Sequence, residues 1–258
     1  GARKGIKYGA ITLLDHLAHD GLEDAYRPQT SMGLLAEELA LERGYSREQQ
    51  DAFAKESLER AQKATRLGYF LEEIHPLHGI TTDEIPSKVD VSKISQLSPV
   101  FKKEGTITAA SASAISDGAA ACVLMKEETA QTLDLPPLAR LIAHAQHAQS
   151  PDTFTQAPIG AIEKLLKKTG WSVHDIDFFE INEAFAVVAL AAMDALHIPA
   201  EKINPHGGAC ALGHPIGASG ARLVVTLIHA LHRYQKKRGI AALCIGGGEA
   251  VAVAIERP

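Results

Sequence analysis

Apolar and polar positions change period several times along the chain, and each change marks an element. Residues 31–43 place apolar side chains at helical spacing and stop at Gly44. Ser46 with Gln49 three positions on is a capping-box pattern that opens a second helix. In that helix Phe53, Leu58, Ala61 and Leu67 recur near helical spacing, and Gly68 fits the residue just past its end. Residues 71–105, broken by prolines, predict an elaborate loop region and not a core layer. Residues 106–121 are nearly all small, which suits close approach of a backbone or a ligand, and 122–125 predict a short buried strand. After Pro136-Pro137 the pattern becomes regular. Strands are predicted at 138–144, 176–181, 240–245 and 251–255. Helices are predicted at 158–168, 183–197 and 217–234; the second is apolar nearly all round and so belongs between layers. Alternating strands and helices predict an α/β layered architecture, with the last two strands forming an antiparallel pair across Gly246-Gly247-Gly248.

Composition narrows the class. The chain has 258 residues, of which 46% are hydrophobic and 22% charged, enough for a real core in one large or two modest domains. A net charge of −5 without a basic stripe gives no case for nucleic acid. The sequence holds no apolar run of membrane-spanning length. Its opening residues carry no signal-peptide pattern. Cys122, Cys210 and Cys244 are too few for a disulfide framework and suit a reducing compartment. The chain opens at Gly1-Ala2-Arg3, in keeping with a processed, trimmed or partial chain.

The candidate chemistry gathers in two glycine-rich stretches. Residues 204–220 read NPHGGACALGHPIGASG, too rich in glycine and proline for an ordinary helix or strand. His214 stands between Gly213 and Pro215, just before a predicted helix whose N-terminus carries free donors. Cys244 ends an apolar strand beside the triple glycine, whose N–H groups suit an anion. A cysteine and a histidine on neighbouring loops follow the logic of activated sulfur nucleophiles and proton shuttles, although each alone is as readily structural. His206, Cys210 and His214 recur every four residues, a spacing that suits zinc only if the segment is helical, which its glycines oppose. Asn182 is either a helix cap or a polar amide at the C-terminal end of a strand.

Taken together, Asn182-Glu183-Ala184-Phe185-Ala186, the stretch Gly207-Gly208-Ala209 with Gly213-His214-Pro215-Ile216-Gly217-Ala218-Ser219-Gly220, and Cys244-Ile245-Gly246-Gly247-Gly248 resemble the thiolase family. Residues 31–37, 46–54 and 111–121 add to the likeness, which covers essentially the whole chain and is nearest the acetyl-CoA C-acetyltransferase type. The resemblance implies a layered α/β/α/β/α fold with mixed five-stranded sheets. It implies a loop domain at 1–112, a strand segment completing an N-terminal half at 113–135, and a C-terminal thiolase domain at 136–258. It implies Claisen condensation of two acetyl-CoA to acetoacetyl-CoA, or the reverse thiolysis of a 3-ketoacyl-CoA, with coenzyme A as substrate and no further cofactor or metal. His214 would activate the acylated cysteine. Cys244 would move the α-proton. Asn182 would hold a water in one oxyanion hole, and the Gly246 N–H would serve a second. Ser113, Met32, Phe101, Ala109, Ala184 and Phe185 would line the coenzyme A pocket.

The same resemblance implies that the acylated cysteine belongs to a segment outside this chain, since neither Cys122 nor Cys210 sits in its motif. A missing N-terminal half is then the expected partner, together with a homo-oligomer, dimer or tetramer, associating through residues 3–15. The cytoplasm is the expected location, or a mitochondrial matrix in a eukaryote. Ser31, Ala114, Phe154 and Glu249-Ala250 depart from the family's usual residues, which leaves acyl-chain length open. The alternative is an inactive partial chain or a coenzyme A-binding assembly module that needs a separate nucleophile-bearing half.

Overall fold

The computed structural model describes residue 5 and residues 8–258. Part of the expected association loop, residues 3–15, therefore lies outside the described residues. After a short π-helical segment, Ala18–Leu22, come α1 (Met32–Arg43) and α2 (Arg47–Arg66). Ser31 caps α1 and Gly44 ends it in the left-handed region at φ 69°. Ser46 and Gln49 form the expected capping box. The short α3 (Ile85–Lys88) and α4 (Glu127–Thr132) interrupt the loops that follow.

The C-terminal part holds one mixed sheet. Its strands are β1 (Arg140–Ala148), β2 (Phe178–Ile181), β3 (Arg238–Ile245) and β4 (Glu249–Glu256), in spatial order β1-β4-β3-β2. β2 and β3 are parallel; the other two pairs are antiparallel. Helix α5 (Ala157–Thr169) lies between β1 and β2 in sequence, and α6 (Ala186–Leu196), α7 (Ala209–Leu212) and α8 (Ser219–Arg233) between β2 and β3.

Burial explains the layering. Ile240 and Ala242 of β3 pack with Ile162 and Leu165 of α5 and Ala189 and Ala192 of α6. Ala241, on the opposite face, packs with Leu223, Leu227 and Leu231 of α8. Both faces of the central strand are thus covered, which is why it reads as a continuous apolar run. Helix α6 is buried along most of its length, as its apolar circumference predicts, because α1 covers its other side.

Three expectations are corrected. Residues 122–125 form no strand, and Val123 and Leu124 are exposed. A strand needs a neighbouring backbone edge, and no strand of the described residues pairs there. The C-terminal sheet has four strands among the described residues, and Ile203 bridges Phe179 in parallel at its β2 edge. Asn182 is not a helix cap, since α6 begins later, with Phe185 in the capping position. The glycine stretch 204–220 contains a single helical turn, α7, where four small or apolar residues separate Gly208 from Gly213.

His206 opens that stretch in an apolar site. Its ring lies 5.2 Å from Tyr69, 5.8 Å from Phe70 and 5.6 Å from Tyr234 between centroids, and neither ring nitrogen has a hydrogen-bond partner. Burial, helped by the charge of Arg233, holds it down to about 4. An unfolded histidine takes its proton near pH 6.5, so the folded state loses stability as pH falls from 6.5 toward 4 and loses none above that window. The uncharged variant His206→Phe should gain on the natural chain across that window, by on the order of 2 kcal/mol at pH 4. Paired urea titrations at pH 7 and pH 4 check this; a constant difference between the two proteins contradicts it.

Candidate active site

The two parallel strands β2 and β3 end on the same side of the sheet, where α/β proteins place their sites. Asn182 follows β2 directly, and its N–H still donates to the Ala242 carbonyl of β3 at 2.9 Å. Its side-chain Nδ2 meets His214 Nε2 at 3.2 Å. His214 Nδ1 meets the Ser219 hydroxyl at 2.5 Å, at the first residue of α8. Ser219 Oγ donates to the Pro215 carbonyl at 3.0 Å, so it accepts from the imidazole. That assigns the proton to Nδ1 and leaves a lone pair on Nε2, where Asn182 donates. Asn182 Oδ1 is buried without a protein partner. Burial first, and then the positive Arg222, hold His214 down to about 4, so the ring is neutral at pH 7.

Cys244 lies at the same end of β3 and is buried beside Met32, Phe154, Ala184 and Phe185. Burial pushes its thiol up to about 12. The turn that follows is made possible by Gly247 and Gly248, both near φ +95°. Gly248 tolerates no side chain, because a Cβ there would stand 2.3 Å from the Gln149 carbonyl. A Cβ on Gly246 would stand 3.3 Å from Met32 Sδ, so this glycine and Met32 are neighbours. Phe101 meets Phe185 edge to face at 5.7 Å and lies flat against Gly33.

An extended segment joins these two groups. Ser113 donates from both N–H and Oγ to the Ala184 carbonyl, each at 3.0 Å. Ala112 bridges Phe185, and Ile115 bridges His214, whose N–H donates to the Ala114 carbonyl at 2.9 Å. The small-residue run 106–121 thus allows close backbone approach. Asn182 and His214 are in direct contact. Cys244, Gly246, Met32, Phe101, Ala184 and Phe185 form the adjoining patch, and Ser113 ties the two together. Ala109 is exposed at the start of that segment. His206, Cys210 and His214 have separate surroundings, and among the described residues no group of His, Cys, Asp or Glu is arranged to hold a metal.

Glu183 and Ser57 have structural roles that reading the sequence did not assign. The Glu183 carboxylate is fully buried and accepts from Ser57 Oγ at 2.7 Å, Asn204 Nδ2 at 2.7 Å and the Cys210 N–H at 3.1 Å. Ser57 Oγ accepts in turn from the Gly208 N–H at 2.9 Å. Asn204 pairs with both backbone groups of Ile181 at 2.9 Å. One carboxylate thus fastens α2, the glycine stretch and the end of β2. Burial and the charge of Glu183 push the Cys210 thiol well above its ordinary range. The available signal was Glu183 next to Asn182 in sequence, with Asn204 at the head of the glycine stretch.

Comparison with known proteins covers the whole chain. Residues 1–128 match the description "Thiolase, N-terminal domain" and residues 135–257 the description "Thiolase, C-terminal domain". The chain is 45% identical over 266 residues to a probable acetyl-CoA acyltransferase of Staphylococcus aureus strain COL, covering 99% of this chain and 67% of that protein. It is 44% identical over 268 residues to an acetyl-CoA acetyltransferase of Chromobacterium violaceum, covering 100% and 68%. Among solved structures, Acat5 thiolase from Ascaris suum in complex with coenzyme A superposes with a TM-score of 0.93 at 44% identity, covering 100% of this chain and 68% of that one. The Bacillus anthracis acetyl-CoA acetyltransferase gives 0.91 at 39%, covering 99% and 67%. The chain thus spans about two thirds of the length of these relatives.

The packing around Glu183 can be tested directly. A Cβ at position 208 would stand 2.3 Å from the Glu183 carboxyl carbon, which three hydrogen bonds hold in place. Gly208→Ala should therefore cost about 1–3 kcal/mol in denaturant unfolding. An unchanged midpoint shows that the carboxylate is free to move.

Proposed function

The chain belongs to the thiolase family and has its α/β fold with a mixed sheet, and from that premise we propose that it carries the acid–base half of a thiolase acyl-transfer site. The substrates would be acetyl-CoA and 3-ketoacyl-CoA thioesters, interconverted by Claisen condensation and thiolysis. The carrying observation is the chain of hydrogen bonds from Asn182 to His214 to Ser219, set beside the end of the strand that holds Cys244.

In the condensation direction, His214 Nε2 takes and keeps the proton of a nucleophilic cysteine as that sulfur attacks the thioester carbon of acetyl-CoA; coenzyme A leaves as its thiol with the proton of Cys244, which becomes a thiolate. The Cys244 thiolate then removes an α-proton from a second acetyl-CoA. The enolate carbon attacks the acetyl-cysteine, forming a carbon–carbon bond and releasing the cysteine as a thiolate, which recovers its proton from His214. Negative charge on oxygen builds up twice, so preorganised donors matter most. Asn182, through a bound water, and the protonated His214 serve the enolate oxygen, and the unshielded Gly246 N–H serves the acyl oxygen. A thiol held near 12 ionises only when a proton acceptor and oxygen donors are in place, and its thiolate is then basic enough for an α-carbon. Met32, Phe101, Ala184 and Phe185 supply the apolar wall for the pantetheine arm. Ser113 fixes the backbone there, with Ala109 at the pocket's outer rim.

We assign the acylated cysteine to a companion N-terminal segment. Cys122 is exposed in irregular backbone, and Cys210 has its ionisation opposed by the Glu183 carboxylate. Exposed Ile115, Val123 and Leu124 offer an apolar surface for that segment, and exposed Tyr8, Leu13 and Leu14 one for a second copy in a homo-oligomer. Three free cysteines suit a reducing location such as the cytoplasm. Among the described residues no helix is long and apolar enough to cross a membrane. The exposed surface also favours the alternative, an assembly module that lends coenzyme A contacts without acid–base chemistry.

Supplied with a thiolase N-terminal segment, the chain should cleave acetoacetyl-CoA, and Cys244→Ser should lower that rate at least ~100-fold. Acetyl-CoA should leave an acetyl adduct on the added segment and none on this chain, read by mass spectrometry. Full activity in Cys244→Ser sinks the acid–base assignment in favour of the assembly module.

A further inference from the structure

Resting on the acyl-transfer reading above, we propose that the Glu180–Arg222 contact is a positioning element for His214, bridging the strand and the helix that carry its two side-chain hydrogen-bond partners. Those partners come from different elements. Asn182 follows β2, and Ser219 opens α8. Glu180 stands in β2 two residues before Asn182, and two-residue spacing puts both on one face. Arg222 stands three residues after Ser219, on the same side of α8. The pair therefore repeats, one step deeper, the link that His214 makes.

Its chemistry argues against a purely stabilising role. Arg222 Nη1 lies 3.6 Å from Glu180 Oε2. Glu180 is fully buried, and neither its carboxylate oxygens nor the two terminal nitrogens of Arg222 make a hydrogen bond. Buried pairs without such bonds recover little of their desolvation cost, and well-packed apolar replacements are often neutral or better. Burial pushes the Glu180 carboxyl up to about 8, against the pull of Arg222, so near pH 7 the contact is largely an uncharged acid beside a guanidinium. What it supplies is a packed separation between β2 and α8 and the positive field of Arg222.

The surrounding charges set the sign of that field. Glu180 faces Arg222 of α8, Glu183 beyond β2, Glu73 of the loop after α2, and Arg60 of α2. Arg222 also acts on Glu73 and Asp83. It is thus a cation set among carboxyls, and its effect on His214 is to oppose protonation, second to burial. The histidine is held both in place and in its neutral form.

The test reads the imidazole itself and needs no substrate, so it stands or falls apart from the thiolysis assay. Nitrogen-15 NMR of His214 is followed against pH in the natural chain, in Glu180→Gln, in Arg222→Lys and in the double variant Glu180→Leu with Arg222→Leu. The double variant should fold, yet its His214 midpoint should rise by about one pH unit and its Nδ1 proton signal should broaden as the Ser219 bond loosens. Arg222→Lys, which keeps the charge, and Glu180→Gln, which keeps the shape of the uncharged acid, should each hold the midpoint near that of the natural chain, and a rise of one pH unit in either contradicts the proposal. Ring signals and a midpoint in the double variant that match the natural chain overturn the proposal. So does a double variant that cannot fold, since the pair would then be a stability element.

Discussion

The structure depends on one buried carboxyl group, that of Glu183, whose burial favours the proton while its hydrogen-bond donors favour the charge. Glu183 holds its carboxyl group out of solvent and receives three donors, one from α2 and two from the glycine stretch. A charge in that setting is costly unless every lone pair is answered. The donors it needs are the backbone of the glycine stretch, a serine of α2 and an asparagine that also pairs with the end of β2. To satisfy the carboxylate, the chain must bring these pieces together. The position of His214, ten residues after Asn204, follows from that requirement.

Glycine makes the convergence possible. Gly207 and Gly208 pass so close to Ser57 and Glu183 that side chains would collide, and Gly213 passes equally close to Ser116. The glycine-rich character that excludes regular structure over 204–220 is thus a packing requirement before it is a catalytic one. Two histidines in the same stretch meet opposite fates. His206 is sealed among aromatic rings without a partner, whereas His214 has both nitrogens occupied. Only the second geometry fixes a tautomer, and a fixed tautomer is what a proton-transfer group needs.

Much of this was legible in the letters. The capping box at Ser46, the glycine end of α1 and the apolar circumference of α6 each follow from local rules and appear as expected. The Asn182 and His214 motifs pointed to one site because their residue types make sense only together. The failures share a cause. Residues 122–125 look like a buried strand because they are apolar, but burial is conferred by a neighbour, and pattern alone does not say where the neighbour is. Glu183 read as half of a motif or the start of a helix, because its three donors are 21 to 126 positions away in sequence. The Glu180–Arg222 contact was equally invisible, since nothing local distinguishes it from two solvated charges.

The extended segment from Ala112 to Ile115 touches both the apolar patch and His214 through backbone bonds alone. Its partners at 184–185 and 214 are far along the chain, so these contacts have high sequence separation and loop closure must precede them. Helices α5, α6 and α8 pack on the sheet without it. Loss of these few backbone bonds alone would therefore leave helix and sheet content native-like in circular dichroism while the imidazole hangs free, so overall secondary structure does not report on the reactive geometry.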